Sequence, residues 1–418
     1  MSQYKDLSAL RKLPRSPALS YLRKQMRPRK RRPTRIAPVL ETGLPEPVRA
    51  DIGAFTPAHL WNFISHYLKH RLGRRHPFPT YKTRRVTNGV YQMHADGEIR
   101  IALAGDWATG TVEAAKIADL IERFKPHYAI HLGDVYYVGD PVEVAENFLG
   151  IPSPSGHYIP CRWPRGSLGS FALNGNHEMY SLGTAYFSKM LPALGPIVNG
   201  RARGQAASFF CLENAHWRII ALDTAYNSIG LPLLEYFWPP DGALPAELMD
   251  WLREVVKPAR DDPRGIVLLS HHQYFSRFER WYTRPAKQLT EFFSRPVLWF
   301  WGHEHRLAIY RAFGIDDGIT AYGRCIGHGG MPVELPHAAR YEQCVTDFVD
   351  ERSYPNAEGL QIGFNGFARL SLQQERLAAE YVDVLGTVIY SEAWTVENGT
   401  LKRLINEPGL VERAEVTQ

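Results

Sequence analysis

The chain has 418 residues, 44% apolar and 22% charged, a globular composition rather than a disordered, collagen-like or coiled-coil one. It has no uninterrupted apolar run of roughly 18 residues, so no membrane-spanning helix is expected, and four scattered cysteines (Cys161, Cys211, Cys325, Cys344) suit neither a disulfide framework nor a CxxC zinc site. The formal charge of +6 is uneven: residues 1–36 hold twelve Lys or Arg against Asp6 alone, and the remaining 37 basic and 42 acidic residues leave the body at −5.

The basic arm ends in Arg27-Pro-Arg-Lys-Arg-Arg-Pro-Thr-Arg35. It lacks the apolar stretch of a secretory signal, and with so few cysteines a cytoplasmic setting is expected, a transit peptide being the open alternative. The arm is read as solvated or packed, with an anionic polymer or lipid as its possible partner. Thr56-Pro57 has the form of a helix start, and Leu60, Ile64, Leu68 and Leu72 then recur on one face up to Gly73. These features predict an N-terminal arm and helix over 1–83, a main domain over 84–403 and a tail over 404–418.

Residues 84–94 and 98–105 flank Ala95-Asp-Gly97 and predict a hairpin. Ile101–Ala104 predicts a buried strand, 111–125 an amphipathic helix, and His127–Leu132 a second strand. Such a strand–helix–strand unit makes its strands parallel. Further strands are predicted at 170–173, 207–212, 216–223, 265–269, 297–301, 319–326 and within 362–396. Helices are predicted at 244–256 and 285–293. Two long inserts, 138–169 and 226–243, read as surface loops that shape specificity; the second carries Tyr226, Tyr236, Phe237 and Trp238.

Polar residues gather just past the predicted strands, where open α/β sheets bind ligands. Gly105-Asp106 follows the first strand, and Gly133-Asp134 with Tyr137 the second. Asn174-Gly-Asn176-His177-Glu178, His271-His272 and Gly302-His303-Glu-His305 follow three later ones. Carboxylate, amide and imidazole donors suit iron, manganese or zinc. Seven candidate ligands exceed the need of one ion and suit two, roughly 3.5–4 Å apart, with one carboxylate bridging. The glycines ahead of Asp106, Asp134, Asn176 and His303 are expected to let the backbone turn sharply there.

At these five blocks the chain resembles the calcineurin-like metallophosphoesterases, and within them the purple acid phosphatases. The resemblance covers about residues 98–403. It implies an α/β fold, a four-layer αββα sandwich of two mixed β-sheets flanked by helices. It implies that one metal takes Asp106, Tyr137 and His305, that the other takes Asn176, His271 and His303, and that Asp134 bridges them. Ala108 stands where most of the superfamily has a metal-binding His, and Tyr137 compensates in the purple acid phosphatase manner, with the adjoining Tyr136 as the alternative register, which implies Fe(III) plus Fe, Zn or Mn. The implied reaction is hydrolysis of a phosphorylated small molecule, a monoester, by a metal-bound hydroxide, with His177 as catalytic residue and Glu178 orienting it or a ligand. His272 and His328, the latter in Gly327-His-Gly-Gly330, are weaker substrate-binding candidates. The alternatives are a phosphodiesterase or nucleotide pyrophosphatase using the same site, or a catalytically silent protein that binds nucleic acid or membrane through the arm. Oligomeric state is not readable.

Overall fold

The computed structural model describes residues 71–404, apart from 72, 85–86, 94–96, 153–159, 231–239, 336–338 and 356–360. The basic arm, nearly all of the helix expected after Thr56-Pro57, the aromatic residues Tyr236, Phe237 and Trp238, and the tail beyond 404 lie outside the described residues.

The strand Ile99–Ala104 shows how the sequence builds layers. Successive strand side chains point to opposite faces. Ile101 and Leu103 enter a core shared with Ile219, Val267, Leu298 and Phe300. Ala102 and Ala104 turn the other way, towards Ile117 and Ile121 of the helix Val112–Phe124. The small alanines let that helix lie close. With both faces covered, Ile101–Ala104 reads as an unbroken apolar run. The strand Val297–Trp301 repeats the pattern: Leu298 and Phe300 face the shared core, and Val297, Trp299 and Trp301 face Leu248, Leu252 and Leu289. Those leucines come from the helical segments 246–256 and 284–291. Three cores between four layers give the expected αββα sandwich.

One sheet has nine strands, in the order 400–404, 388–397, 376–383, 366–373, 99–104, 128–131, 169–172, 195–198 and 201–202. The other has eight, in the order 90–92, 210–213, 217–221, 265–270, 297–301, 321–326, 307–313 and 346–349. Ile99–Ala104, Tyr128–His131 and Gly169–Ala172 run parallel, as do Trp217–Ala221, Gly265–Ser270, Val297–Trp301 and Ala321–Ile326. Their carboxyl ends therefore leave each sheet on one side. The helix between the first two strands opens on Thr111, whose hydroxyl accepts from the Ala114 N–H at 3.2 Å, and closes on Lys125 in the left-handed region.

The expected hairpin at Ala95-Asp-Gly97 does not form. Val90–Gln92 pairs parallel with Phe210–Glu213, Val90 opposite Cys211, so its neighbour is in the other sheet. Ile99–Ala104 is a central strand with both edges taken, by Tyr128–His131 and by Gly366–Gln373. It has no edge left for residues 90–92.

A buried ion pair ties the sheets together. Arg324, on one sheet, meets Glu392, on the other, through two bonds of 2.6 and 2.7 Å. Its Nη1 donates to the carbonyls of Tyr310 and Gly323, and the Tyr381 hydroxyl donates to Glu392 at 2.9 Å. Both side chains are almost fully buried, so losing one partner strands a charge. Glu392→Gln is expected to lower the unfolding free energy by about 3–5 kcal/mol, and Arg324→Met/Glu392→Leu to recover most of it. Denaturant unfolding followed by tryptophan fluorescence checks both; a single variant as stable as wild type would show that the pair does not hold the sheets.

Candidate metal centre

The carboxyl ends of the two sheets meet at glycine. A Cβ on Gly105 would stand 2.9 Å from the Gly302 Cα, and one on Gly175 only 2.1 Å from Asp134 Oδ1. These glycines provide space for close approach. The sharp turns expected of them are made mostly by the following residues: Asp106, Asp134 and His303 have φ of 57°, 73° and 64°, and of the four preceding glycines only Gly133 is left-handed. Such conformations cost about 1–3 kcal/mol each and cluster at functional sites.

The side chains brought together are nearly all hydrogen-bond acceptors. His271 Nδ1 lies 2.9 Å from the Leu132 carbonyl. A carbonyl only accepts, so Nδ1 carries the hydrogen and the neutral ring offers a lone pair at Nε2. Yet Nε2 lies 2.9 Å from Asn176 Oδ1, 3.3 Å from Asp134 Oδ1 and 3.2 Å from His303 Nδ1. The Asn176 amide is oriented by its NH2, which donates to the Tyr180 hydroxyl at 3.0 Å, so Oδ1 faces the imidazole. A second focus surrounds the Tyr136 hydroxyl, at 2.7 Å from Asp106 Oδ1, 3.1 Å from Asp134 Oδ2 and 3.0 Å from His305 Nε2. One hydroxyl hydrogen cannot serve three acceptors.

Lone pairs in a buried space repel unless positive charge lies between them. In the protein alone protons take that part. Burial opposes charge on His271, but the Asp134 carboxylate overrides it and pushes the imidazole up to about 9. Burial, reinforced by Asp106 and Asp134, holds the Tyr136 phenol well above its ordinary value. The same donor set fits cations. Asp106, Asp134 and His271 offer ligand atoms within 4.8 Å of one another, as do His271, His272 and His303. Two such groups sharing His271, with Asp134 reaching both foci, suit a pair of ions with Asp134 between them.

Further side chains fix this set. The His303 N–H donates to Asp106 Oδ2 at 2.8 Å and the His177 N–H to Asp134 Oδ1 at 3.0 Å. Glu178 Oε2 accepts the N–H groups of Asp134 and Gly175, both at 3.1 Å, so Glu178 holds the Asp134 turn. The ring of His177 is pinned by Nδ1 on the Tyr137 carbonyl. Its Nε2 has no hydrogen-bond partner and lies 3.7 Å from Asp134 Oδ2.

The structure thus gathers Asp106, Asp134, Asn176, His177, His271, His272, His303 and His305. It corrects two expectations. The phenol that meets Asp106, Asp134 and His305 is that of Tyr136, one residue before the expected Tyr137. Val135 bridges Ala108 and the Tyr136 N–H donates to the Ala108 carbonyl at 3.0 Å, which holds Tyr136 beside the segment that follows Asp106. Tyr137 contributes its backbone, donating from N–H to Glu143 and accepting from His177. His328 is likewise not brought to this cluster. Its Nε2 would stand 2.7 Å from a Cβ on Gly366, and the charges acting on it are Asp350, Arg352 and Asp383. Tyr180 and Thr224, whose hydroxyl lies 3.1 Å from His272 Nδ1, were not foreseen. Tyr180 sits four residues after Asn176, one helical turn, which was the available signal.

The sequence profile of the family described as calcineurin-like phosphoesterase matches residues 99–307, half of the chain. No curated protein matches the sequence significantly. Among solved structures, the chain is similar to purple acid phosphatase PPD1 from seeds of yellow lupin (Lupinus luteus), with 14% identity and a TM-score of 0.44 over 72% of this chain. It spans only 54% of the lupin protein's length. It is also similar to GAP50 of Plasmodium, described as the anchor in the inner membrane complex, with 17% identity and a TM-score of 0.45 over 72% of this chain and 90% of that one. For PhoD the values are 11% and 0.45, over 76% of this chain and 74% of that one. Among the described residues no helix is long and apolar enough to cross a membrane.

Two outcomes follow from the acceptor geometry and from His328. Zinc added back to chelator-stripped protein at about a hundredfold its Kd should stabilise the fold by about 2.7 kcal/mol, seen as a rise in melting temperature; an unchanged melting curve would reject a cation between these acceptors. His328 has two buried, unpartnered ring nitrogens, and burial pushes its imidazole down to about 4. An unfolded histidine titrates near 6.5, so as pH falls the unfolded state takes its proton first. The stability is complete above about pH 6.5 and is lost on the way down to about pH 4. Between pH 7.5 and 4.5, His328→Phe should lose about 2–3 kcal/mol less than wild type; parallel pH profiles would refute this.

Proposed function

Because the chain belongs to the calcineurin-like phosphoesterase family, and is on that ground a metal-dependent phosphoesterase, we propose that it hydrolyses phosphate monoesters at a dinuclear centre. The observation that carries this reading is the crowding of buried acceptors from both sheets around Asp134. In this reading the first ion is held by Asp106, Tyr136 and His305, the second by Asn176, His271 and His303, and Asp134 serves both. Bound there, the ions supply Lewis acidity to phosphoryl oxygens and lower the pKa of water.

The protein's own groups do the rest. Asn176, oriented by Tyr180, keeps its oxygen towards the second ion. Glu178 holds the N–H groups of Asp134 and Gly175 and so fixes the bridging carboxylate. His177 is the catalytic residue of the proposal. With Nδ1 pinned on the Tyr137 carbonyl, Nε2 is the nitrogen that meets substrate, and protonated there it passes its proton to the leaving alcohol oxygen, a contribution of roughly 100- to 10,000-fold. The phenol of Tyr136 supports a ferric first ion with Fe, Zn or Mn as its neighbour, and the purple acid phosphatase-like, monoester-cleaving reading. Tyr136 thereby takes the part that the motif spacing assigns to Tyr137.

Metal content, visible spectrum and turnover of aryl phosphate mono- and diesters, measured on one preparation, test the proposal. Tyr136→Phe is expected to lose the visible charge-transfer band while Tyr137→Phe keeps it. Asp134→Ala is expected to lose both ions and all hydrolysis. Faster turnover of the diester would overturn the monoester assignment, and full activity in Asp134→Ala would overturn the site.

A further inference from the structure

We propose that His272 is a third imidazole ligand to the second ion, beside His271 and His303. The inference deepens the dinuclear reading and rests on it. One ring nitrogen from each of the three histidines lies within 4.8 Å of the other two. Neighbouring imidazoles on one ion at about 2.1 Å would hold their nitrogens roughly 3–3.4 Å apart, so the grouping has to close by less than about 2 Å. His271 and His303 have already closed to 3.2 Å, and the rings of His272 and His303 are centred 4.6 Å apart.

His272 is held as a ligand must be. Its backbone N–H donates to the Thr224 hydroxyl at 3.1 Å, and its carbonyl accepts from Ser270 Oγ at 2.8 Å. Ser270 Oγ is itself fixed by the Trp299 indole N–H at 2.8 Å. Nδ1 of the ring lies 3.1 Å from the Thr224 hydroxyl, and the Tyr282 ring packs against the imidazole at 4.5 Å. A hydroxyl oxygen has two lone pairs. One takes the backbone N–H, and the other is open to Nδ1–H in the tautomer that a ligand role requires. That tautomer leaves the lone pair at Nε2, which among the described residues engages in no hydrogen bond. A partner on the far ring nitrogen that fixes the tautomer is the usual support of a metal-binding histidine.

Three imidazoles, the Asn176 oxygen and the Asp134 carboxylate give the second ion five protein donors. Such a nitrogen-rich set favours zinc or ferrous iron over magnesium or calcium. It also restricts the second ion: with five positions filled, an octahedral ion has one left for water or substrate.

Zinc titration calorimetry on chelator-stripped, full-length protein separates this proposal from its premise. Wild type should show two binding events. In His272→Gly one of the two should fall by at least tenfold and be restored by free imidazole, while the other, at Asp106, Tyr136 and His305, is unchanged. His272→Gln fills the space without an imidazole and guards against a folding defect in the glycine variant; it should show the same loss without rescue. Two wild-type events in either variant would overturn the ligand role of His272 and leave the phosphoesterase site intact. Fewer than two events in wild type would sink the dinuclear premise and this proposal with it.

Discussion

The near-contact of Gly105 with Gly302 is the constraint on which the site depends. It joins the end of a strand in one sheet to the end of a strand in the other, with no room for a side chain at either. Asp106 and His303, the next residue in each chain segment, are thereby placed side by side, and the His303 N–H closes on the Asp106 carboxylate. Gly175 does the same for Asn176 and Asp134 within one sheet. Side chains spread over some two hundred positions meet because the backbones that carry them touch first.

That convergence is unfavourable for the protein alone. Carboxylates, an amide oxygen, a phenol and imidazoles face one another in a space almost closed to solvent, and three of the residues sit in left-handed conformations. Consistent folding rules are broken where function demands it. The rest of the molecule offsets the strain. Strands buried on both faces supply three continuous cores, and the bidentate Arg324–Glu392 pair locks the sheets at a distance from the site.

Much of this was legible because each signal was local. Ile101–Ala104, His127–Leu132 and Val297–Trp301 announce themselves by composition, and the Asp, Asn and His residues stand immediately behind such runs. What failed to show was partnership. Ala95-Asp-Gly97 reads as a hairpin because the occupied edges of Ile99–Ala104 are visible only once residues 366–373 are in place. Leu307–Phe313 escaped notice, since as a strand near the sheet edge it exposes Arg311 and Ala312. Tyr136 and Tyr137 are equally tyrosine, and nothing local in the sequence says which phenol meets Asp106, Asp134 and His305. Thr224 lies 48 positions from His272; no periodicity links them.

The segment ahead of the family match also bears on the site. The His76 N–H donates to the Leu182 carbonyl at 3.0 Å, just past the short helix that carries Asn176, His177 and Tyr180. The Tyr226 hydroxyl donates to the His76 carbonyl at 2.8 Å, and the Arg75 guanidinium lies 3.4 Å over the Tyr226 ring, two residues beyond Thr224. Tyr81 is buried against Phe209 and Trp251. Residues 75–81 therefore brace the helix that carries Asn176 and the segment that carries Thr224, the hydroxyl neighbour of His272. A boundary at residue 84 would sever these bonds. Arg71 adds to the brace, its guanidinium donating to the Gly230 carbonyl at 2.6 Å, so the described residues ahead of position 84 pack as part of the outer wall of the site.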